Sequence, residues 1–369
     1  MCSSRARCGY APISPMAERR RANVVGLGLI GGSIGRALRA RGWQVQGADV
    51  DGGRTADALA GGVIDAGGLD PGAEITFVAV PALAVADAVK EVLAATSGLV
   101  TDVAGVKSSV VAAVTDPRFL GGHPMAGSEQ EGLDGADPDL FEGAVWVLTP
   151  TAETSDPVFA TVASIVSGLG AEVVALSPER HDSLVAVVSH VPHLAAATLM
   201  ALADDRAEEH AALLRLAAGG FRDMTRIASG HPAIWPDICE ENREAIVDGL
   251  DSLIAGLSNI RDVVGRGDRD TLLAVLTRAR RARANLPSRV ARPADLSEVR
   301  IPIPDRPGAA AEVFTLAAEL GVNVADFEVY HSAEGDKGIM ILLIEAANGE
   351  LFRGGLIARG FRPSVRRLD

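Results

Sequence analysis

The chain has 369 residues, of which 48% are hydrophobic and only 4% aromatic, so its core is built mainly from Ala, Val, Leu and Ile, and its length implies two or three domains, since single cores stop growing near ~250 to 300 residues. A formal net charge of -13 offers no basic face to a phosphate backbone, which argues against nucleic acid and requires local cations or helix N-termini if the ligand is an anion. Three cysteines, Cys2, Cys8 and Cys239, form neither a disulfide framework nor a zinc module, as expected of a reduced, cytoplasmic protein.

Residues 1–21 include five arginines, among them Arg19, Arg20 and Arg21, but no apolar run of the length that a signal peptide or membrane span needs. They read as a disordered tail, with Met16 a candidate start. The folded pattern begins at Ala22. A strand over 22–25 leads into a glycine-rich turn and a helix over 33–41 that Gly42 stops. Strands follow over 43–48, 75–80 and 99–103, with a helix over 84–95 between the last two. Strands alternating with helices predict an α/β, doubly wound parallel sheet, completed by strands over 144–148 and 171–176. This first domain spans 22–177. From 178 to 284 the spacing is helical, and Pro192 inside the apolar stretch 184–202 removes a backbone donor, frees the carbonyl of Val188 and bends the helix, shaping a cavity. Residues 285–297, with Pro287 and Pro293, read as a linker. Over 298–369 the pattern restarts as a small α+β module: strands at 299–303, 322–329 and 338–344, a helix at 308–320, and a weak terminal pair.

Gly26, Leu27, Gly28, Leu29, Ile30 and Gly31 fit a dinucleotide-binding turn. The first glycine permits the tight turn, the second lets backbone approach a pyrophosphate, and the third lets the helix pack closely. The N–H groups opening that helix hold the phosphates. Asp49 ends the second strand eighteen positions after Gly31, where it accepts from ribose hydroxyls and repels a 2′-phosphate. That favours NAD over NADP. Asp51 strengthens the preference and Arg54 works against it. Val80, closing the strand over 75–80, is assigned to the same cofactor site.

His123 stands in the glycine-dense stretch Gly121-Gly122-His123-Pro124-Met125-Ala126-Gly127-Ser128-Glu129, read as a loop at the carboxyl end of the sheet, where ligands bind. It is either a structural hydrogen-bonder or a base that takes a proton from an alcohol as hydride leaves carbon. His190 and His193 flank Pro192 on similar faces of the bent helix. Metal ligation, substrate contact and a satisfied buried histidine compete there, with no carboxylate or cysteine to complete a metal site. Arg226 suits a bidentate carboxylate, with Asp223 to orient it, or is a surface ion pair. Lys107, just past the strand over 99–103, has the same two readings. His181, Asp182 and Ser183 make no triad, because adjacent residues point apart and there is no nucleophile elbow.

Four blocks together resemble the prephenate dehydrogenase family: Val25 to Ser33, Gly121 to Glu129, Ser189-His190-Val191-Pro192-His193, and Phe221-Arg222-Asp223-Met224-Thr225-Arg226-Ile227-Ala228. The resemblance implies a Rossmann-like domain followed by an all-α dimerisation domain. It implies NAD-dependent oxidative decarboxylation of prephenate to 4-hydroxyphenylpyruvate, with His123 deprotonating the ring 4-hydroxyl. Arg226 would bind a substrate carboxylate, His193 and Trp235 would line the pocket, and Ser128 would contact the substrate. Glu129, Arg222 and Asp223 would frame the entrance, with His190 and Lys107 in support. In one departure, the serine that many members carry before Val-Lys, bonded to the catalytic histidine, is Gly105 here, so support for His123 has to come from water, Ser108 or another donor. Residues Ile303-Pro304-Asp305-Arg306-Pro307-Gly308 and Gly321-Val322-Asn323-Val324 resemble an ACT domain, a βαββαβ module. Asp305 would cap its first helix, and paired copies would bind tyrosine or phenylalanine or serve only to join a dimer. Two rival functions stand beside this one: arogenate dehydrogenation, and a non-catalytic amino-acid sensor.

Overall fold

The structure is a computed structural model that describes residues 19–127, 130, 132–207, 214–285, 296–304, 306–331 and 337–368. By contact the chain divides into two compact units, Met1–Asp262 and Val263–Asp369.

The first unit opens with β1 (Arg21–Val25), α1 (Leu29–Ala40), β2 (Gln44–Ala48), α2 (Gly52–Ala60), β3 (Ala66–Gly67), β4 (Ile75–Val78), α3 (Val85–Ala95), β5 (Leu99–Asp102), α4 (Ser108–Ala113), β6 (Phe119–Pro124), β7 (Val145–Thr149), α5 (Asp156–Gly168) and β8 (Glu172–Ala175). These strands form one sheet in the order β3-β2-β1-β4-β5-β6-β7-β8. That order reverses between β1 and β4, so the crevice at their carboxyl ends is where such sheets bind ligands. The near-continuous apolar strands are explained by burial on both faces: all four residues of β4 are buried. Helix α1 packs a face that includes Gly31, Ile34, Gly35 and Leu38, and Gly42, at φ 84°, ends it as expected. Trp146 anchors the core, with the Phe141 ring at 5.1 Å and the Phe77 ring at 6.2 Å.

Three expectations are corrected here. The last residues of the supposed tail are ordered: Arg21 begins β1 and pairs with Asp70 at 2.9 Å, while Arg20 lies 4.0 Å above the Trp43 ring. Residues 1–18 lie outside the described part. The sheet is not wholly parallel, because β6 and β7 pair antiparallel; among its described residues their connection holds no crossover helix to carry the chain back to the same edge. Most consequentially, His123 is on a strand rather than in a loop. Glycine is needed there because β6 is crowded: a Cβ on Gly121 would lie 2.5 Å from Thr149 Oγ1, and one on Gly122 would lie 2.8 Å from the Asp102 carbonyl oxygen.

The helical part contains α6 (Pro178–Val185), α7 (Val191–Ala207), α8 (Gly219–Thr225), α9 (Trp235–Glu241) and α10 (Arg243–Gly265). Ser177 caps α6 by accepting from Arg180 N, and Pro178 takes the first turn, where its missing N–H costs nothing. Between α6 and α7 a π-helical turn spans Ala186–His190. Pro192 lies just beyond it, and the displaced hydrogen-bond register is what a proline without an N–H imposes. A cavity of about 1280 Å³ adjoins the bend, lined by Val187, Val191, Pro192, Asn242 and Gly249 among others. The span Pro178–Arg206 is long and apolar enough to cross a membrane by length and composition, but it carries the buried polar residues His181, Asp182 and His190. Those buried polar groups argue against a membrane span.

The second unit comprises α11 (Arg269–Ala284), β9 (Leu296–Pro304), α12 (Ala309–Glu319), β10 (Val324–His331), β11 (Lys337–Glu345), α13 (Gly349–Ala358) and β12 (Ser364–Arg367). Its antiparallel sheet runs β10-β11-β9-β12, and the element order from β9 onward is βαββαβ. Strand β9 takes up two residues of the expected linker, because Leu296 and Ser297 pair with Glu345 and Ile344. The N-cap of α12 is Gly308 at φ 89°, with no side-chain cap; the expected capping residue, Asp305, lies outside the described residues.

Candidate active site

The glycine turn joins β1 to α1 beside the end of β4. Gly26 has φ 88°, and a Cβ there would stand 2.3 Å from the Ala79 carbonyl oxygen and 3.2 Å from Val80 Cγ1. A Cβ on Gly31 would lie 1.9 Å from the Gly26 carbonyl oxygen. Only glycine closes this turn. Gly28, by contrast, faces open space: a Cβ there would meet nothing within 4 Å, and α1 has no side-chain cap. A backbone cradle open on the ligand side, at an uncapped helix start, fits a pyrophosphate. Asp49 is 5% exposed; its carboxylate accepts from Leu27 N at 2.8 Å and from Asp51 N at 2.9 Å. It therefore holds the turn together, and as a carboxylate it keeps capacity for further donors. The Arg54 guanidinium lies 3.9 Å from Asp49 and 3.8 Å from Asp51.

His123, near the carboxyl end of β6, sits on the same edge of the sheet as that turn. Its Nδ1 is 2.9 Å from His181 Nε2, and His181 Nδ1 is 2.8 Å from Asp182 Oδ1. Asp182 also accepts from Lys107 N and Ser108 N, at 2.8 Å each, so its carboxylate tops the first turn of α4. The expectation that adjacent residues 181 and 182 point apart is overturned: their side chains bond to each other, while Ser183 is exposed. Burial pushes the His123 pKa well below the usual histidine value, and the neighbouring His181, Lys107 and His190 add to this against the pull of Asp182. Burial works to raise Asp182, but hydrogen bonds from His181 and Ser108 hold its carboxyl below the ordinary range. A Cβ on Gly105 would be 3.7 Å from His123 Nε2, so the place of the family serine is open. Support for His123 comes from His181 instead.

Lys107 is not a surface ion pair. It is fully buried against Asp102, also fully buried, and the two form an ion pair. Burial pushes the Lys107 ammonium down, with Asp102 opposing. Asp102 accepts in addition from Ala104 N at 2.9 Å and Gly122 N at 3.1 Å, which ties the residue before His123 to the end of β5.

The π turn brings the other histidines to Trp235. The His193 ring stacks on it at 3.6 Å and 15°, and the His190 ring meets it edge-on at 6.1 Å. Asn242 Nδ2 donates to the Asp182 carbonyl at 2.9 Å and lies 3.3 Å from His190 Nδ1, linking the two halves of the site. Burial takes His190 down to about 4 and lowers His193 as well. Arg226 opens a 3-10 turn, Arg226–Ser229, whose following residue, Gly230, would place a Cβ 3.6 Å from His193 Cε1. Arg222 and Asp223 are exposed on α8. Among the described residues Asp223 makes no hydrogen bond or ion pair with Arg226, and an exposed pair of this kind gains little. Ser128 and Glu129 lie outside the described residues.

Comparison with known proteins places this arrangement. The prephenate dehydrogenase nucleotide-binding domain matches residues 34–175 and the prephenate dehydrogenase dimerization domain residues 177–278. Prephenate dehydrogenase of Bacillus subtilis is 34% identical over 86% of this chain and 90% of its own length. The chain belongs to the prephenate dehydrogenase family. Among solved structures, the prephenate dehydrogenase of Aquifex aeolicus in complex with hydroxyphenyl propionate and NAD+ superposes with a TM-score of 0.69, at 28% identity, over 74% of this chain and all of that one. Synechocystis arogenate dehydrogenase gives 0.62 at 29% identity, over 71% of this chain and 98% of that one. Within this family member, the sequence reading singles out His123, His193, Trp235 and Arg226, sets His181 and Asp182 aside as no triad, and passes over Asn242 and Asp102. Asp182 and Asn242 carry no local signal. His181 does: a histidine in the first turn after the Ser177-Pro178 start is a buried polar group in need of a partner.

Proposed function

We propose that the chain catalyses the NAD-dependent oxidative decarboxylation of prephenate to 4-hydroxyphenylpyruvate in tyrosine biosynthesis. The observation that carries this reading is His123, held by His181 on the sheet edge that also bears the Gly26 turn, with Nε2 making no hydrogen bond among the described residues. NAD, held by Gly26, Gly28, Gly31 and Asp49 with Val80 alongside, supplies the hydride acceptor. His123 takes the proton of the ring hydroxyl. Aromatisation drives loss of the ring carboxylate. Arg226 receives a substrate carboxylate through its planar fork, and the stacked His193 and Trp235 form the pocket wall. Ser128 contacts the substrate; Glu129, Arg222 and Asp223 frame the entrance; His190 and the buried Lys107 brace the site from behind.

The dimerization-domain match and the exposed Val187, Val188, Ile254 and Leu257 support a homodimer through the helical part. The free Cys239 fits a reduced cytoplasmic setting. The βαββαβ order supports an ACT-like module with an amino-acid effector: tyrosine or phenylalanine should change activity of the full chain but not of a chain ending near Pro293.

The test is NADH formation at 340 nm, with NAD or NADP against prephenate and arogenate. His123→Asn should lower kcat by about 10²- to 10⁴-fold, and Arg226→Ala should chiefly raise KM. Full kcat in His123→Asn would sink the assigned chemistry, a preference for arogenate would replace the substrate, and no turnover of either would leave the sensor reading.

A further inference from the structure

We infer that His181 and Asp182 are positioning residues that hold His123 in the tautomer of a general base and store the substrate proton until it is returned to the product's phenol oxygen. This rests on the reading of the chain as a prephenate-oxidising enzyme.

The tautomer follows from one end of the chain of contacts. Asp182 receives two backbone N–H groups, from Lys107 and Ser108, and is held as a carboxylate that can only accept. His181 Nδ1, 2.8 Å away, must therefore carry a proton. With His181 as the neutral ring, which carries one N–H, its Nε2 is a lone pair. His123 Nδ1, 2.9 Å from that lone pair, must then be the donor. Its Nε2 is left unprotonated on the side opened by Gly105.

The charges support storage. Lys107 with Asp102, and Asp182, are the charged groups facing the two rings, from the segment before α4, the end of β5 and α6; His190, from the π turn, is held neutral by burial. The Lys107–Asp102 pair cancels, leaving the single negative charge of Asp182. A proton arriving at His123 Nε2 makes a cation that His123 and His181 share, and this brings the group to neutrality.

The stoichiometry is consistent with storage in place of export. The hydroxyl proton goes to His123 Nε2 and the C4 hydrogen leaves with its electron pair to NAD. The bond to the ring carboxylate then breaks, its pair enters the ring, and the C4 oxygen becomes a phenolate. Prephenate dianion and NAD+ thus give the hydroxyphenylpyruvate monoanion, carbon dioxide and NADH only if the phenolate regains the proton. No net proton is released, so the proton held on His123 is the one that can return to the phenolate without exchange with solvent.

The experiment uses the full chain with prephenate and NAD. His181→Leu should lower kcat by about 10²-fold or more while KM for prephenate stays within about threefold. His181→Gln, whose amide oxygen still accepts from His123 Nδ1, should recover at least about tenfold of the loss. Asp182→Asn offers His181 a donor, reverses both tautomers, and should cost on the order of 10³-fold or more, as wrong-tautomer variants of histidine-carboxylate pairs do. Independently of turnover, ¹⁵N NMR of the unliganded wild type should show His123 protonated at Nδ1 and bare at Nε2. Protonation at Nε2 overturns the inference, as does a His181→Leu variant with unchanged kcat and pH profile. A wild type that forms no NADH from prephenate defeats the functional reading instead, and the NMR result then decides the tautomer. If His181→Leu does not fold, the Gln variant and the NMR result decide.

Discussion

Replacing Lys107 with methionine tests the least expected feature of the site. Methionine fills most of the volume of the lysine stem but removes the ammonium that Asp102 faces, and both side chains are fully buried. Asp102 would keep its bonds from Ala104 N and Gly122 N but lose its counter-charge. Removing one member of a buried pair costs about 3 to 5 kcal/mol, because an uncompensated charge stays in a low-dielectric interior. At roughly 2 to 4 °C per kcal/mol for a domain of this size, Tm should fall by roughly 6 to 20 °C. Calorimetry or a dye-monitored melt of the full chain measures it. The double variant Lys107→Met/Asp102→Asn separates charge from packing: if the loss is electrostatic, the second change restores a large part of it, with a coupling energy of about 1 to 3 kcal/mol. A single variant that melts within about 2 °C of the wild type, or a double variant no more stable than the single, refutes the reasoning.

Stability should also fall as pH drops from about 6.5 toward 4. His190 titrates near 4 in the fold and near 6.5 when unfolded, so in that window the unfolded chain binds more protons; His190→Gln should flatten the Tm-against-pH slope, and an unchanged slope tells against it. His123 is lowered in the same direction, so kcat/KM for prephenate should hold level as pH falls through about 6.5, and an apparent acid limb at or above that value contradicts the burial of the base. Gly122→Ala sets a Cβ 2.8 Å from the Asp102 carbonyl oxygen and from Thr101 Oγ1; overpacking of about 1 to 3 kcal/mol and a reduced kcat should follow, and a melt equal to wild type means the strands can part. Asp49→Asn removes the charge that repels a 2′-phosphate and leaves Arg54 nearby, so the ratio of kcat/KM for NADP over NAD should rise by about tenfold, equivalent to ~1.4 kcal/mol; an unchanged ratio shifts specificity to another residue.

Much of the cofactor half is legible in the sequence because its signals are local. The glycine turn, the strand before it, the helix after it and Gly42 at its end all depend on conformational demands within a few residues. Asp49 stands out by its spacing from the glycine turn as well, although its bond from Leu27 N is not legible there. The strand bearing His123 is hidden for the converse reason: Gly121 and Gly122 look like loop residues in sequence, yet they are glycine because neighbouring strands leave no room for a Cβ. Pro192 announces a bend, and only the structure shows that the bend is a π turn bringing His190 and His193 to one indole.

From the sequence alone came the family, the cofactor and the order of elements, each carried by short-range patterns and motif order, together with the proposal of His123 as the base. Tertiary structure decided what supports that base. His123 and His181 are 58 positions apart, and Lys107 N and Asp182 are 75 apart. Such pairs meet only when β6, α4 and α6 pack together. No local pattern encodes that distance, because a buried histidine or aspartate is written the same way whether its partner is water, backbone or another side chain.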